Sequence, residues 1–343
     1  MDEIRCRTTY SYEFGYHSVN KVRGTVRHHP HHDAKQDAQA IHDLIVAGDA
    51  NKHKYDDEAI FKILCHRSNK HRQEIKKAYK AMFQEEMTKR LKDALKGLDE
   101  SIVVAILAPS DDFDAQEMYG AMKGLGTTEG TLIEILCSRT NDEIKAAIMA
   151  YRHLYNKSMA DDVIDDTSGN FRKLLVALCK AEREESHNVD PGKAKQQADA
   201  LYKAGEKKWG TDEEVFFKIL SSENYAQLQC VFQEYKTLSG HDIEVAIKKE
   251  FSANTCKSLL ALVKCIKNRP GYFAERIHDA AKGKHYKELL RLVVSRSEKD
   301  MVEIRHEFER MFNIPLQDFI KNIKDKKADV FKGVLIALIV GNE

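Results

Sequence analysis

Apolar residues recur at helical spacing along most of the chain. One example is the stripe of Ile144, Ile148, Tyr151 and Leu154, whose spacing of three or four residues places the four side chains on one helix face. Strand-like alternation of apolar and polar residues is scarce, and the 343 residues include only five prolines. The pattern therefore predicts an all-α protein.

The helical pattern is repeated four times. The segment Ile63–Asn69 recurs further along the chain as Ile135–Asn141. Tyr151 recurs in the same way as Tyr235, and Phe308 follows at a similar distance. A repeat of this kind predicts four copies of one unit, each built of about five short helices.

The repeat spacing also predicts the domain boundaries. The four units are expected at residues 34–107, 108–182, 194–268 and 269–343. Residues 1–33 lack the periodicity and form an N-terminal tail. Residues 183–193 are charged and include Asp190-Pro191-Gly192, which is typical of a linker.

Several helix starts are predicted from capping residues. The capping-box spacing of a hydroxyl residue and a glutamate three positions later occurs at Thr140 with Glu143 and at Thr211 with Glu214. Serines that could cap later helices of the second unit stand at Ser158 and Ser168.

Composition narrows the classes of function. Lys and Arg total 55 and Asp and Glu total 54, so the net charge of +1 provides no bulk field for nucleic acid or membranes. The longest apolar runs are far shorter than the roughly 18–20 residues of a membrane span. The N-terminus lacks a secretory signal pattern. The seven cysteines include no CxxC pair, which favours reduced thiols in a cytoplasmic protein.

Two glycine-containing loops carry the candidate chemistry. Residues Met122–Thr127 have the sequence MKGLGT in the second unit, and Gly205–Thr211 have GEKKWGT in the third. An acidic residue follows the last glycine of each loop at the same distance in sequence, namely Asp166 and Glu250. The separation in sequence between the loop and the acid is therefore the same in both units.

This pairing suits a hard cation. Closely spaced glycines let the backbone turn through positive φ and direct several carbonyl oxygens to one point. Ca²⁺ prefers about 6–8 oxygen ligands, and three carbonyls with a bidentate carboxylate would supply about five. The alternative is a tight turn between helices with a solvated acid, but the shared spacing favours the metal site. With one carboxylate, such a site would bind calcium weakly.

These motifs resemble those of the annexin family, and the resemblance extends from about residue 34 to the C-terminus. It rests on Met122–Thr127 with Asp166, on the KWGTDE segment before Glu250, and on Arg67-Ser68-Asn69 with its later copies. The resemblance implies four repeats of five helices in a curved disc, with calcium loops on the convex face. It also implies calcium-dependent, reversible binding to acidic phospholipids such as phosphatidylserine.

The resemblance implies one calcium site in each of the two central repeats. The ligands of the repeat-2 site would be the carbonyls of Met122, Gly124 and Gly126 and the carboxylate of Asp166. Those of the repeat-3 site would be the carbonyls of Gly205, Lys208 and Gly210 and the carboxylate of Glu250. Secondary weak sites, or simply helix-start residues, would be Thr127 with Glu129 and Thr211 with Glu213.

Repeats 1 and 4 depart from the family pattern. In repeat 1 the loop carries about five extra residues within Gly48–Asp57, and Ala94 occupies the position of the acid. In repeat 4 Lys284 replaces the threonine, and Ile323 occupies the acid position with Asp325 nearby. Both loops are therefore predicted to be degenerate calcium sites.

The sequence predicts a non-enzymatic cytoplasmic protein that attaches peripherally to acidic membranes when calcium rises. Nucleic acid is not an expected partner, and unconventional release from cells stays open. The alternative is a structural or cytoskeletal interaction protein on the same scaffold. Its partner contact would be the aromatic tail, with Tyr10, Tyr12, Phe14 and Tyr16. The tail histidines flank Pro30, which favours solvated imidazoles over a transition-metal site.

Trp209, the only tryptophan, lies inside the repeat-3 loop. An amphipathic ring at a loop tip would favour the lipid interface, whereas the alternative is packing against its own repeat. We expect acidic liposomes with calcium to change the fluorescence of Trp209, and a chelator to reverse the change. Unchanged fluorescence would contradict a membrane contact of this ring.

Overall fold

The structure is a computed structural model that describes residues 23–28, 32–124, 126–207, 210–325 and 328–342. Helices joined by short turns and irregular segments make up these ranges, and no strand occurs in them. The all-α prediction is confirmed. None of the described helices combines the length and the apolar character that a membrane crossing requires.

The first two repeats contain five helices each. Those of repeat 1 are α1 Ala34–Ala50, α2 Asp57–Cys65, α3 Asn69–Phe83, α4 Met87–Ala94 and α5 Leu98–Leu107. Those of repeat 2 are α6 Ser110–Met122, α7 Glu129–Ser138, α8 Asn141–Tyr155, α9 Met159–Asp166 and α10 Gly169–Cys179.

The last two repeats share one long interrupted helix. The helices of repeat 3 are α11 Pro191–Ala204, α12 Glu213–Ser222, α13 Tyr225–Ser239, α14 Ile243–Glu250 and the first half of α15 Ala253–Lys282. Those of repeat 4 are the second half of α15, α16 Tyr286–Arg296, α17 Met301–Phe312, α18 Leu316–Lys321 and α19 Asp329–Val340. Asn268 is non-helical, and its Oδ1 accepts from the N–H of Gly271, so it caps the second half of α15.

The helices group into two compact units. Residues 114–272, which cover nearly all of repeats 2 and 3, form one unit, here called the 2–3 unit. Residues 23–113 and 273–342 belong to the other, here called the 1–4 unit. The chain passes between the units within α6 and again within α15.

The third helix of every repeat buries one aromatic ring in the repeat core. The four residues are those that the sequence repeats superimpose, and all are fully buried: Tyr79, Tyr151, Tyr235 and Phe308. Each ring contacts a ring from the first helix of its repeat at centroid distances of 5.7–6.2 Å. The partner rings are His42, Tyr119, Tyr202 and His278. The four-fold repetition is thus a repetition of core packing.

A second contact, here called the hairpin clamp, joins the N-terminal half of the first helix to a residue at or just after the end of the second. In repeat 2, Arg139 donates two hydrogen bonds of 2.8 Å to Asp114. In repeat 1, Arg67 donates to Asp37 at 2.6 and 3.0 Å. Because the two helices form a hairpin, the clamp closes the end opposite to the connecting loop.

The hairpin clamp keeps its position in the other repeats although its chemistry changes. In repeat 3 the amide of Gln197 donates to the carboxylate of Glu223 at 2.8 Å. In repeat 4 the guanidinium of Arg296 lies 4.6 Å from the centroid of the Phe273 ring, a cation–π contact. The contact is not apparent from the sequence, because no single residue pair is repeated four times.

The predicted helix starts are partly correct. Thr140 and Glu143 form the expected capping box, and the hydroxyl of Ser158 caps α9. Ser168 occupies the N-cap position without a side-chain cap bond. The prediction for Thr211 is wrong, because the N-cap of α12 is Asp212 and the Thr211 hydroxyl is used elsewhere. Helix α11 begins at Pro191, inside the predicted linker.

Residues 23–28 are hydrogen-bonded along the 1–4 unit. The N–H of Thr25 donates to the carbonyl of Ser297 at 2.8 Å, and the Thr25 hydroxyl donates to Leu338 at 2.6 Å. Asn342 near the C-terminus donates to the carbonyl of His66 at 3.2 Å. The segment is therefore bonded to repeat 4, and Asn342 joins repeat 4 to repeat 1. Residues 1–22, with the aromatic residues of the tail, lie outside the described part of the chain.

The tail histidines are packed more tightly than the sequence suggested. The ring of His28 stacks on His71 with centroids 4.1 Å apart, and His32 lies 4.3 Å from the same ring. The His32 side chain is 4% exposed and its Nδ1 is 3.1 Å from Asp37. The expectation of solvated histidines is therefore wrong for His32. His29 and His31 lie outside the described residues.

Two carboxyl groups meet at the start of two helices in repeat 1. Asp57 is the first residue of α2, and Asp99 lies in the first turn of α5. Burial, together with the charge and hydrogen bond of Asp57, raises the pKa of Asp99 from 3.8 to about 6. The folded protein therefore holds a proton on Asp99 at a pH at which the unfolded chain has released it.

The hairpin clamp yields a stability prediction. The side chains of Arg139 and Asp114 are 0% and 8% exposed, so Asp114→Ala leaves a buried guanidinium without its partner. We expect the free energy of unfolding to fall by about 3 kcal/mol or more. Arg67 is 33% exposed, so Asp37→Ala should cost less than Asp114→Ala, even though it also removes the partner of the buried His32 side chain. Equal losses in urea unfolding would contradict this ranking.

The carboxyl pair yields a pH prediction. Because the pKa of Asp99 is raised by folding, stability increases as the pH falls from about 6 to about 4, and it is lower at neutral pH. Asp99→Asn should therefore raise the free energy of unfolding by about 1 kcal/mol at neutral pH, and the gain should vanish near pH 4. Asp161→Asn, in the first turn of α9, is the control and should give no such gain. A benefit of Asp99→Asn that is independent of pH would contradict the assignment.

Candidate metal centres

The loop between the first and second helices is not of constant length. The helix bounds leave the shortest loop in repeat 4 and longer loops in the other three repeats. Backbone bonds close the two central loops in the same way: Thr128 donates to Ala121 at 2.9 Å, and Asp212 donates to Ala204 at 2.8 Å. Repeats 2 and 3 thus close their loops with an equivalent backbone bond.

Three of the loop glycines adopt the positive φ that the sequence predicted, whereas Gly205 has a φ of −100°. Gly124, Gly126 and Gly210 have φ of +114°, +87° and +81°. Side chains are disfavoured at such angles, and these glycines therefore permit the sharp turn. Leu125, Lys208 and Trp209 lie outside the described residues, so the proposed Lys208 ligand and the Trp209 contact stay predictions.

In repeat 2 the structure brings the loop and the distant acid together. The hydroxyl of Thr127 donates to Oδ2 of Asp166 at 2.6 Å and to its backbone carbonyl at 3.0 Å. Met122 is the last residue of α6, and Glu129 is the first residue of α7. The Thr127 hydroxyl therefore holds the Asp166 carboxylate beside the glycine turn.

Repeat 3 repeats this arrangement with a longer acid. The hydroxyl of Thr211 donates to Oε2 of Glu250 at 2.9 Å. The Cγ of Glu250 lies 3.5 Å from the point where Gly205 would carry a Cβ, so the acid also packs against the start of the loop. Glu206 is engaged by His241 at 2.7 Å. Glu213 is the first residue of α12.

Both acids stand where their own helix disfavours them. Asp166 is the last residue of α9 and Glu250 the last residue of α14. The C-terminal end of a helix carries partial negative charge from its free carbonyls, so a carboxylate there costs about 0.3–1 kcal/mol. A bound cation would remove this repulsion, because it would be attracted by the carboxylate and by the carbonyls alike.

The repeat-2 site opens into a depression of about 310 Å³. Its walls include Met122, Gly124 and Asp166, together with Tyr151 and Asp162. The Tyr151 hydroxyl donates to Asp162 at 2.5 Å, and burial with this bond raises the pKa of Tyr151 above its usual range. The Tyr151 hydroxyl therefore fixes the orientation of Asp162 in the wall of the depression.

Repeat 1 closes its loop with side chains. Helix α1 extends to Ala50, and the ring of Tyr55 lies where a side chain at Gly48 would be. The Tyr55 hydroxyl donates to Asp49 at 2.7 Å, and Arg90 pairs with the same acid. The hydrogen bond from Tyr55, aided by the charge of Arg90, lowers the pKa of Asp49. A guanidinium from α4 thus pairs with the acid at the end of α1, beside the loop.

Repeat 4 has a shortened loop with a lysine in the threonine position. His285 donates to Ala280 across five residues, whereas Thr128 spans seven. Lys284 has φ of +56°, and its ammonium donates to the carbonyl of Lys324 at 3.4 Å. Asp325 accepts from the hydroxyl of Tyr286 at 2.7 Å. The described loop therefore lacks the pairing of a threonine with an acid that repeats 2 and 3 share.

The donors of the two central loops are hard oxygens. Each loop combines a carboxylate with backbone carbonyls near left-handed glycines, and such oxygens are the ligands that Ca²⁺ prefers. No group of three or more His, Cys, Asp or Glu side chains that could hold a metal occurs in the described ranges. The carboxylate and the carbonyls beside the left-handed glycines fit a calcium site built largely from backbone oxygens.

Known proteins match this chain along almost its full length. The annexin family's sequence profile matches residues 36–106, 113–178, 196–262 and 272–338. Annexin A4 of Mus musculus is 40% identical over 322 residues, which are 93% of this chain and 98% of that protein. The solved structure of annexin III has a TM-score of 0.87 at 39% identity and covers 94% of this chain and 98% of its own. A calcium-bound annexin (Sm)1 has a TM-score of 0.79 at 25% identity and covers 93% of each chain. The chain therefore belongs to the annexin family, whose members bind phospholipids in a calcium-dependent manner.

Proposed function

We propose that the loops of repeats 2 and 3 are calcium sites through which the protein attaches reversibly to acidic phospholipid membranes. One observation carries the proposal: in both loops a threonine hydroxyl donates to an acid 39 residues later. The pairs are Thr127 with Asp166 and Thr211 with Glu250. The same pairing beside the same left-handed glycines is expected of a duplicated ligand site.

The proposed ligands are backbone oxygens and one carboxylate in each loop. They are the carbonyls of Met122, Gly124 and Gly126 with Asp166, and the carbonyls of Gly205, Lys208 and Gly210 with Glu250. Bound calcium would supply the positive charge that attracts lipid phosphates to a chain whose net charge is only +1. With a single carboxylate in each site, affinity should fall near the micromolar-to-millimolar range, which keeps attachment reversible.

The threonines act as positioning residues in this proposal. Each hydroxyl bonds one carboxylate oxygen and so fixes the orientation of the acid. This use of Thr127 and Thr211 competes with the secondary weak sites, in which the same hydroxyl groups would face another ion. Glu129 and Glu213 then stabilise the N-terminal first turns of their helices, where a negative charge is favourable.

Loss of the two acids should abolish calcium-dependent membrane binding. We expect Asp166→Asn and Glu250→Gln each to raise the calcium concentration for half-maximal binding to phosphatidylserine liposomes about tenfold. The double variant should fail to co-sediment at any calcium concentration that saturates the unaltered protein. The matched control is Asp325→Asn, which removes the same charge beside the repeat-4 loop and should leave the calcium dependence unchanged.

The outcomes separate the two functions that the sequence left open. Co-sedimentation that a chelator reverses, and that the double variant loses, supports calcium bridging. A double variant that sediments like the unaltered protein would refute the assignment of these loops. Calcium-independent binding to filaments, unaffected by either acid and lost on removal of residues 1–22, would favour the alternative of a cytoskeletal interaction protein.

A further inference from the structure

The repeat-4 loop, with the end of α18 and the turn after it, forms a cluster of lysines, here called the basic corner. Residues Lys282–Lys287 contain three lysines and no acid, and Ile320–Asp325 contain two lysines and one acid. The five lysines, all exposed, are Lys282, Lys284, Lys287, Lys321 and Lys324. The corresponding segments of repeat 2, 122–130 and 163–168, contain one lysine and three acids. The charge of the loop is therefore reversed between the two repeats.

One side chain joins the two halves of the basic corner. Lys284 occupies the position of Thr211, and its Nζ donates to the carbonyl of Lys324 at 3.4 Å. In repeats 2 and 3 the residue at this position reaches across to hold an acid. In repeat 4 it reaches across to a backbone oxygen and places a permanent ammonium there.

The acids around the basic corner are engaged by other groups. Glu288 pairs with Arg276, and its second oxygen lies 3.7 Å from His285. Asp325 accepts from the Tyr286 hydroxyl, and Asp329 pairs with Lys332 at 2.6 Å. Within the described ranges, no ion pair joins the five lysines to a carboxylate. Their charges are therefore available to a ligand.

We propose that the basic corner binds phosphate groups of acidic lipids directly, without calcium. An ammonium on a flexible stem is a suitable point-charge partner for a phosphate oxygen. Five exposed lysines spread over two segments suit a surface that presents many phosphates better than they suit one small anion. The repeat-4 loop would then replace a calcium-gated contact by a permanent one, and it would act independently of Asp166 and Glu250.

The test compares a variant that lacks three lysine charges in the basic corner with a variant that lacks three lysine charges elsewhere on the surface. The full chain carries either Lys284→Gln, Lys287→Gln and Lys324→Gln, or the control set Lys35→Gln, Lys89→Gln and Lys195→Gln, all at exposed helix or loop positions. Binding is measured in chelator at low ionic strength, to vesicles of phosphatidylserine with phosphatidylcholine and to phosphatidylcholine alone. Thermal unfolding checks that all three proteins are equally folded.

We expect the unaltered protein to bind the acidic vesicles in chelator and to ignore the neutral ones. Since one lysine near an acidic surface contributes about a fivefold gain in affinity, the basic-corner variant should bind about a hundredfold more weakly. The control variant should stay within about threefold of the unaltered protein. Absence of binding in chelator, or equal losses in both variants, would overturn the proposal.

Two further arms identify the ligand and separate this proposal from the calcium sites. Inorganic phosphate, added at constant ionic strength, should not displace the vesicles; displacement at millimolar phosphate would assign the lysines to a free anion instead. With calcium present, the basic-corner variant should still sediment in a chelator-reversible way. The double variant of Asp166 and Glu250 should keep its calcium-free binding. The results therefore test the basic corner and the calcium sites separately.

Discussion

The hairpin clamp is the constraint on which the loops of this protein depend. It fixes the first two helices of each repeat at the end opposite to their connection, so the loop spans two helix ends whose separation is already set. A loop of six or eight residues can then hold left-handed glycines without changing how the hairpin packs. In repeat 2 the clamp is a buried Arg139–Asp114 pair, for which burial opposes the charge but Asp114 raises the pKa of the guanidinium overall. Its charge is therefore permanent.

The candidate calcium sites place local stability and function in opposition. Asp166 and Glu250 each end a helix, where the free carbonyls repel a carboxylate, and each depends on a threonine hydroxyl for its orientation. Neither carboxylate stabilises the helix that it ends. Local conflicts of this kind are expected at functional sites, where a ligand relieves them. Repeats 1 and 4 lack an acid at this position; in repeat 1 Arg90 pairs with Asp49, and in repeat 4 the Lys284 ammonium bonds the carbonyl of Lys324.

The residues that repeat along the chain were the ones that could be predicted. Tyr151 and Tyr235 are related by a constant offset because equivalent core packing selects similar residues. Asp166 and Glu250 share this offset, and their role as calcium ligands stays a prediction. The hairpin clamp was missed because its positions hold Asp114 with Arg139 but Gln197 with Glu223, which share geometry and not chemistry. Thr211 was assigned to a cap because its spacing to Glu214 is local, whereas its real partner is the distant Glu250. Burial of His32 also depended on distant residues that no local pattern reveals.

The division into two units has a consequence for how the chain folds during synthesis. The described part of the 2–3 unit is continuous in sequence, so its contacts can form once residue 272 has left the ribosome. The 1–4 unit is completed only by the last seventy residues, and its segment 23–28 is hydrogen-bonded to partners as far as 315 residues away. Contacts of such separation form late, because loop closure must precede them. Repeat 1 is therefore synthesised first, but its contacts with repeat 4 form only after the last residues are made. The candidate calcium sites can be assembled before synthesis ends.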